Sequence, residues 1–283
     1  AASMAFYVTN DSLVKLVAGN LGLFQIMFLR GLLATALLGL LAIKKKSIFP
    51  ILNKSDWKVL AYRTLGEVGA TLCYLTALFN MPLANATAIL QALPLAVTLG
   101  AALFLGQTVG WRRYIAILVG FAGVLVIVRP GSDGFNAYSM WALVAVVFIV
   151  LRDLSTHRLS AHVPSIFVAL LTAASIMLTG AVMSSIVVWN PVSVNDLLLL
   201  GAAAIFLIFG YLFSIMTMRV GEISFISPFR YTALIWSIAL GFAVFGDIPD
   251  RWTLLGSAIV VLMGIYTFYR ERKIKNLAQT VSP

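Results

Sequence analysis

Cysteine and histidine are almost missing from this chain of 283 residues, which holds one Cys and two His. Cys73 sits alone inside an apolar run, so there is no disulfide framework and no CxxC redox or metal pair. His157 and His162 have no partner pattern for zinc. Charge is scarce too: 11% of residues are charged, where soluble domains average about 25%. No GxxxxGK[ST] phosphate loop, HExxH or GxSxG occurs, so ATP-driven pumping and common intramembrane hydrolysis have no motif behind them. No repeated carbonyl-filter sequence points to a selective channel. No cofactor, no metal and no enzymatic reaction are expected.

Apolar residues fill the space. They make up 61% of the chain, with a mean hydropathy of +1.00. Lipid cannot hydrogen-bond a peptide group, so such a chain spans as helices or as a closed barrel. The apolar runs are continuous over about 18–24 residues, whereas barrel strands alternate over about 10. The sequence therefore predicts an all-α membrane protein. Ten segments are expected: about 2–18, 23–43, 57–79, 83–105, 113–128, 137–156, 164–189, 196–218, 223–245 and 252–269. The first carries Asp11 and Lys15, unlike the core of a signal peptide, so no cleaved leader is expected. The chain begins at Ala1 without Met, which leaves a trimmed N-terminus open.

The net charge of +10 would suggest a polyanionic partner in a soluble protein. Placement gives another reading. With the N-terminus inside, cytoplasmic connections hold Lys44, Lys45, Lys46, Lys54, Lys58, Arg112, Arg113, Arg158 and Arg219, and the tail holds Arg270, Arg272, Lys273 and Lys275. Only Arg129 and Arg251 fall opposite. The positive-inside rule then sets both termini in the cytoplasm and accounts for the basic balance without nucleic acid.

One stretch is written twice. Leu83–Gly123 has an echo in Ile223–Gly264: Gly106 pairs with Gly246, Trp111 with Trp252, Gly123 with Gly264, and Asp11/Lys15 recurs as Asp153/His157. Five helices per copy is an odd number, so the copies face opposite ways across the bilayer, as in inverted-repeat transporters. The expected division is a first repeat over 1–131, a second over 132–270 and a basic cytoplasmic tail over 271–283, broken at the turn-rich RPGSDG.

Five basic residues fall inside apolar segments: Lys15, Arg30, Arg63, Arg152 and Arg230. Each costs from about 2.5 kcal/mol upward there and needs a partner or a wet cavity. Asp11–Lys15, Arg63–Glu67 and Asp153–His157 stand at i,i+4, the spacing of facing neighbours. Two readings stay open: these pairs neutralise one another, or Asp11, Glu67 and Asp153 serve proton coupling. Arg63, Glu67, Thr71, Tyr74 and Leu78 form a stripe on segment three, which either bonds neighbouring helices or lines a cavity. Arg30 and Arg230 lack an acid at helical spacing, so each holds a substrate anion, a backbone carbonyl or an acid on another helix. Segments four and nine add Asn85, Thr87, Gln91, Ser224, Ser227 and Tyr231, and Pro94 permits a bend. Segments five and ten carry little buried charge and are expected at the periphery or in a homodimer contact.

The two five-helix repeats, the Pro94…Leu105-Gly106-Gln107…Trp111…Gly120…Gly123 pattern, Asn10-Asp11…Lys15 and Phe28-Leu29-Arg30-Gly31 together resemble the drug/metabolite transporter superfamily, EamA type. Gln107 stands where that pattern usually has Glu, and its mirror is Asp247. The resemblance implies a bacterial inner-membrane carrier with alternating access and a central cavity lined by segments one, three, four, six, eight and nine. It implies cargo among amino acids, other metabolites and drugs; similar proteins import riboflavin or S-adenosylmethionine. The leading expectation is a secondary transporter of a small polar zwitterion or anion, in contact with membrane lipid. Arg63, Glu67, Tyr74, Gln91, Arg230, Tyr231 and Tyr211 are expected to bind substrate, with Asp11, Glu67 and Asp153 as coupling carboxylates. The rivals are a broad exporter of amphipathic compounds, with Tyr7, Trp141, Phe209 and Tyr211 in an aromatic cavity, and a channel or scaffold.

Overall fold

Helices account for all regular structure among the described residues. In order they are α1 (Ala2–Val17), α2 (Leu23–Lys44), α3 (Lys54–Asn80), α4 (Leu83–Leu90), α5 (Leu93–Leu105), α6 (Trp111–Val128), α7 (Tyr138–His157), α8 (Ser165–Ser184) and α9 (Val194–Val220). A 3-10 turn (Ser227–Tyr231) leads into α10 (Thr232–Leu240), a π turn (Gly241–Phe245) closes it, and α11 runs over Arg251–Val281. This computed structural model describes residues 2–45, 50, 52–106, 110–131, 135–160, 162–220 and 227–281, with side chains for 2–45, 50, 52–106, 110–131, 135–160, 162–211, 213 and 229–270. Lys46, Gln107, Ser224 and the 132–134 stretch of the expected repeat boundary lie outside the described residues, as do the side chains of Arg219 and Ser227.

Among the described residues seven helices are long and apolar enough to cross a membrane: α2, α4 with α5, α6, α7, α8, the 194–211 part of α9 and the 251–270 part of α11. The protein is thus a multi-pass all-α membrane protein. Phe229–Phe245 is a shorter apolar helix. α1 and α3 carry Asp11 with Lys15 and Arg63 with Glu67, charges that the packing must satisfy.

Breaks fall where the backbone demands them. Pro94 has no N–H and crowds the carbonyl four residues back, so the 83–105 helix divides at Gln91-Ala92. Its end is closed by Gly106 at φ 65°, and the π turn after α10 by Gly246 at φ 69°. Both positions are left-handed, where glycine meets no Cβ penalty.

Two helix starts share a design. Asn53 donates its N–H to Asp56 Oδ2 (3.4 Å) at the head of α3, and Ser193 donates its own to Asp196 Oδ2 (3.1 Å) at the head of α9, in capping boxes. Each carboxylate also reaches a loop elsewhere in the chain. Ser160 Oγ donates to Asp56 Oδ1 at 2.7 Å, with His162 Nε2 3.3 Å from Oδ2; Asn20 Nδ2 donates to Asp196 Oδ1 at 3.0 Å. Asp56 therefore latches the α7–α8 loop to α3, and Asp196 latches the α1–α2 loop to α9.

The most extensive helix contacts are α3 with α7, α2 with α8, α6 with α11 and α1 with α9. Lesser ones join α1 to α10, α2 to α9, α5 and α4 to α7, and α3 to α8. Small residues set the closest crossings. A Cβ on Gly256 would lie 2.5 Å from the Gly123 carbonyl, and one on Gly180 would lie 2.5 Å from the Phe28 nitrogen. Without a hydrophobic drive between helices in lipid, such backbone approach supplies much of the association. α6 and α11, the expected peripheral segments, pack on each other and turn Leu118, Leu125 and Leu262 outward.

Two outcomes test this packing. Gly256→Val lowers stability in detergent by about 1–3 kcal/mol, the usual cost of overpacking, whereas Gly201→Val, with nothing within 4 Å, leaves it near wild type; equal effects contradict the crossing. The Ser160 hydroxyl foremost, then the Asn53 backbone, hold the Asp56 carboxyl below the ordinary aspartate range. A depressed pKa adds stability above the unfolded value and loses it as pH falls. The melting-temperature gap between wild type and Asp56→Asn is therefore full at pH 7 and shrinks below about pH 4.

Candidate functional site

Asp11, near the middle of α1, is gripped from two sides. Tyr74 on α3 donates its hydroxyl to Oδ2 at 2.9 Å, and Asn10 Nδ2 donates to Oδ1 at 2.9 Å. Asn10 Oδ1 in turn accepts from Arg30 Nη1 at 3.3 Å, which brings α2 into the cluster. Asn10 and Arg30 are buried, at 2% and 6% exposure.

A second cluster centres on Glu67, one helical turn above Arg63 on α3. Its carboxylate lies 3.8 Å from Arg63 Nη2 and 3.5 Å from Arg152 Nη1 on α7, and Tyr211 of α9 donates its hydroxyl to Oε1 at 3.2 Å. Arg152 also holds Asp153 Oδ1 through Nη2 (2.8 Å) and Nε (2.9 Å). Arg63 Nη1 donates to Thr172 Oγ1 on α8. Arg152 reaches Glu67 because Gly66 lets the helices close: a Cβ there would sit 2.8 Å from the Arg152 nitrogen. Two guanidinium cations thus meet two carboxylates, and Arg30 stands near Asp11.

Of the expected pairs, only Arg63–Glu67 forms at i,i+4. Lys15 does not pair with Asp11. It donates to the Met81 carbonyl (2.6 Å), lies 3.9 Å from Asp247 Oδ2 and sits over the Phe245 ring. Asp11 is already engaged by Tyr74 and Asn10, and the lysine stem runs to the helix end, where its ammonium is partly wet. Asp153 is held by adjacent Arg152 rather than by His157, since a guanidinium fork matches a carboxylate better than an imidazole does. Four of the five cations in the apolar segments thus lie near a carboxylate, Lys15 near Asp247, Arg30 near Asp11, and Arg63 and Arg152 near Glu67.

The structure brings Asp11, Arg63, Glu67, Tyr74, Asp153 and Tyr211 into these two clusters. Three other expected residues stand outside them. Gln91 is buried at the α4–α5 break and donates to the Thr87 carbonyl at 3.4 Å. Arg230 is half-buried on the 3-10 turn, with no hydrogen bond or ion pair among the described residues. Tyr231 is 5% exposed and aims its hydroxyl at Gly264 of α11, where a Cβ would lie 1.5 Å away. Sequence reading passed over Thr172 and gave Asn10 and Arg152 no place in the site. Residue 152 carried one usable signal, a cation next to an acid deep in an apolar run.

Between α2, α8 and α9 lies a crevice lined by Arg30, Thr172 and Tyr211 among apolar side chains. On α9, Tyr211 meets Tyr7 edge-on at 5.7 Å, and Phe6 lies 5.5–5.8 Å from Phe206, Phe209 and Phe213.

Buried, compensated charge shared among helices of a membrane bundle marks a functional site such as a substrate or ion pathway or a proton relay. The EamA-like transporter family matches over residues 1–129. A riboflavin transporter of Vibrio cholerae is 30% identical over 217 residues, covering 74% of this chain and 70% of that one. The pseudopaline exporter of Pseudomonas aeruginosa is 28% identical over 266 residues, covering 92% and 91%. An S-adenosylmethionine uptake transporter of Rickettsia conorii is 24% identical over 205 residues, covering 69% and 66%. A solved crystal structure shares the fold with a TM-score of 0.64 at 22% identity, over 96% of this chain and 98% of that one. The chain belongs to the EamA-like transporter family of the drug/metabolite transporter superfamily, and is a small-metabolite transporter.

The Glu67 cluster acts as a unit, so its deletions do not add. Glu67→Gln and Arg152→Gln each lower the melting temperature, and the double variant loses less than the two together, with a coupling of about 0.5–3 kcal/mol. Strict additivity in thermal melts contradicts the 3.5 Å contact.

Proposed function

We propose that the chain is a secondary carrier of a small polar organic metabolite, built as two inverted five-helix repeats that rock around the Asp11 and Glu67 clusters. The observation that carries this reading is the Glu67 cluster: it joins α3 of the first half to α7, α8 and α9 of the second, inside the apolar span. Charge maintained at that cost belongs to a pathway.

Counting α1, α3 and the 3-10 turn with α10 as spans gives ten. Exchanging each span with the one five places on maps α3–α7 onto α1–α9, and returns α2–α8 and α6–α11 to themselves. The same exchange swaps the Asp56 latch for the Asp196 latch and the Gly106 turn for the Gly246 turn. The capping boxes then lie at opposite membrane faces, as inversion requires. The basic connections support both termini inside a bacterial inner membrane.

The cancelled charges favour a zwitterion or a monoanion over a polyanion. Asp11 is the coupling candidate: it faces Tyr74, Asn10 and Arg30 at the α1–α2–α3 contact. Glu67 is enclosed by two cations and suits positioning; Asp153 is tied to Arg152. Gln91, Arg230 and Tyr231 remain candidates for contacts made in another conformation of the cycle. Relatives named for export and for uptake accord with a carrier whose direction is set by gradients. A second reading, export of amphipathic compounds, draws on the Phe6, Phe206, Phe209 and Phe213 rings; it predicts stabilisation by many unrelated ligands, where a specific carrier responds to few.

In proteoliposomes, solute counterflow saturates. Glu67→Gln slows it about tenfold or more, while Asp11→Asn keeps exchange and loses accumulation driven by a proton gradient. Flux that rises without saturation indicates a channel, and unchanged rates in both variants remove these carboxylates from the mechanism.

A further inference from the structure

Apart from the Asp11 and Glu67 clusters, a third set of contacts gathers around Lys15, in the last turn of α1. Its ammonium donates to the carbonyl of Met81, where α3 ends, at 2.6 Å, and lies 3.9 Å from Asp247 Oδ2, just past the π turn that follows α10. It also sits 5.1 Å from the centre of the Phe245 ring, within that turn. One cation therefore ties α1 to the α3–α4 joint and to the end of α10. Its side chain is 14% exposed, so these contacts are largely shielded from water and stronger than surface ones. Asp247 is itself fixed to the turn: it donates its N–H to the Gly241 carbonyl at 3.0 Å, and Gly246 beside it is left-handed. π turns are rare and recur at functional positions.

The opposite end of the bundle carries a related fastening. Asn136, just ahead of α7, donates to the Asn80 carbonyl at the end of α3, so α7 starts at the Lys15 end and finishes at the other. There Arg158, the residue after α7, donates Nη2 to the Phe104 carbonyl near the end of α5 at 2.9 Å. Lys15 joins α1 to the end of α10, and Arg158 joins α7 to the end of α5. The exchange of spans proposed above turns the first connection into the second. Arg158 is exposed and meets a neutral acceptor, which makes the weaker fastening.

We infer that Lys15 is a gating residue: its grip on Met81, Phe245 and Asp247 holds one end of the pathway shut, and its release opens that end. The inference rests on the carrier reading and adds the part that moves. Because the shielded latch outweighs the exposed one, the resting carrier stays closed at the Lys15 end.

Hydrogen–deuterium exchange of the detergent-purified chain tests this without a substrate. Lys15→Met keeps the apolar stem and removes the charge; exchange over 81–90 and 241–250 then speeds up about tenfold or more, as loss of a shielded charge-assisted contact requires. Lys15→Arg, whose cation reaches the same oxygens, stays near wild type. Asp247→Asn speeds the same stretches less, and keeps the latch testable if Lys15→Met fails to fold. The inference is overturned if neither Lys15→Met nor Asp247→Asn speeds these stretches, if both ends of the bundle loosen equally, or if Lys15→Arg behaves like Lys15→Met. Arg158→Gln separates the latch from the carrier reading, since under alternating access it opens its own end and slows exchange at the Lys15 end. That reciprocal shift beside an inert Lys15 sinks the latch alone. Effects of Lys15→Met and Arg158→Gln that each stay at their own end leave the latch and sink the rocking reading alone.

Discussion

An ion in hydrocarbon has no water to satisfy it, and that constraint organises this protein more than any single packing contact. Lys15, Arg30, Arg63 and Arg152 all lie in the bundle and all find carboxylates, amides or carbonyls, and two of the four, Arg30 and Arg152, reach them on another helix. Removing one member leaves its partner buried and unmatched, a larger penalty than the pair itself was worth. Each charge therefore dictates which helices stay together. Glu67 in particular requires α3, α7 and α9 to meet, and Gly66 grants the backbone approach that lets Arg152 reach it.

The same economy governs the helix ends. Asp56 and Asp196 each cap their own helix and also anchor a distant loop, so one carboxylate orders two elements at a membrane face. Beside Asp196 the chain of contacts extends further: Asn190 donates to the Asn20 carbonyl at 2.8 Å, and Gln25 exchanges two hydrogen bonds with the Asn190 backbone. These latches join one half to the other and lie at the edges. The break at Gln91-Ala92 falls within the Leu83–Leu105 span.

Apolar run lengths made seven of the ten expected spans legible in the sequence, and Gly106/Gly246 marked the turns that the structure places in the left-handed region. The Arg63–Glu67 pair was also readable, since i,i+4 spacing fixes it locally. Choice of partner was not. Asp11 had Lys15 one turn away, and Asp153 had His157, yet Tyr74 and Arg152 took those carboxylates. Helical spacing shows which groups can meet on one helix; which do meet depends on what a neighbouring helix presents, and Asn10 and Thr172 carry no local mark of that role.

On the proposed twofold reading, departures from symmetry locate function better than symmetry does. Latches, left-handed glycines and the α6–α11 crossing recur or map on themselves, as scaffold would. If the Asp56–Asp196 register is carried along α3 and α9, Arg63 and Glu67 fall opposite Ala203 and Leu207. The polar stripe of one half thus has an apolar counterpart in the other, and Leu207 lines the crevice that Arg30 borders. A strictly symmetric pair of halves would set like charges around the axis and repel them. On the same reading, placing both cation–carboxylate clusters against α3, with Tyr211 as the polar contribution of α9 to them, would give a proposed site one charged wall and one mostly apolar wall, the arrangement that orients an amphipathic solute.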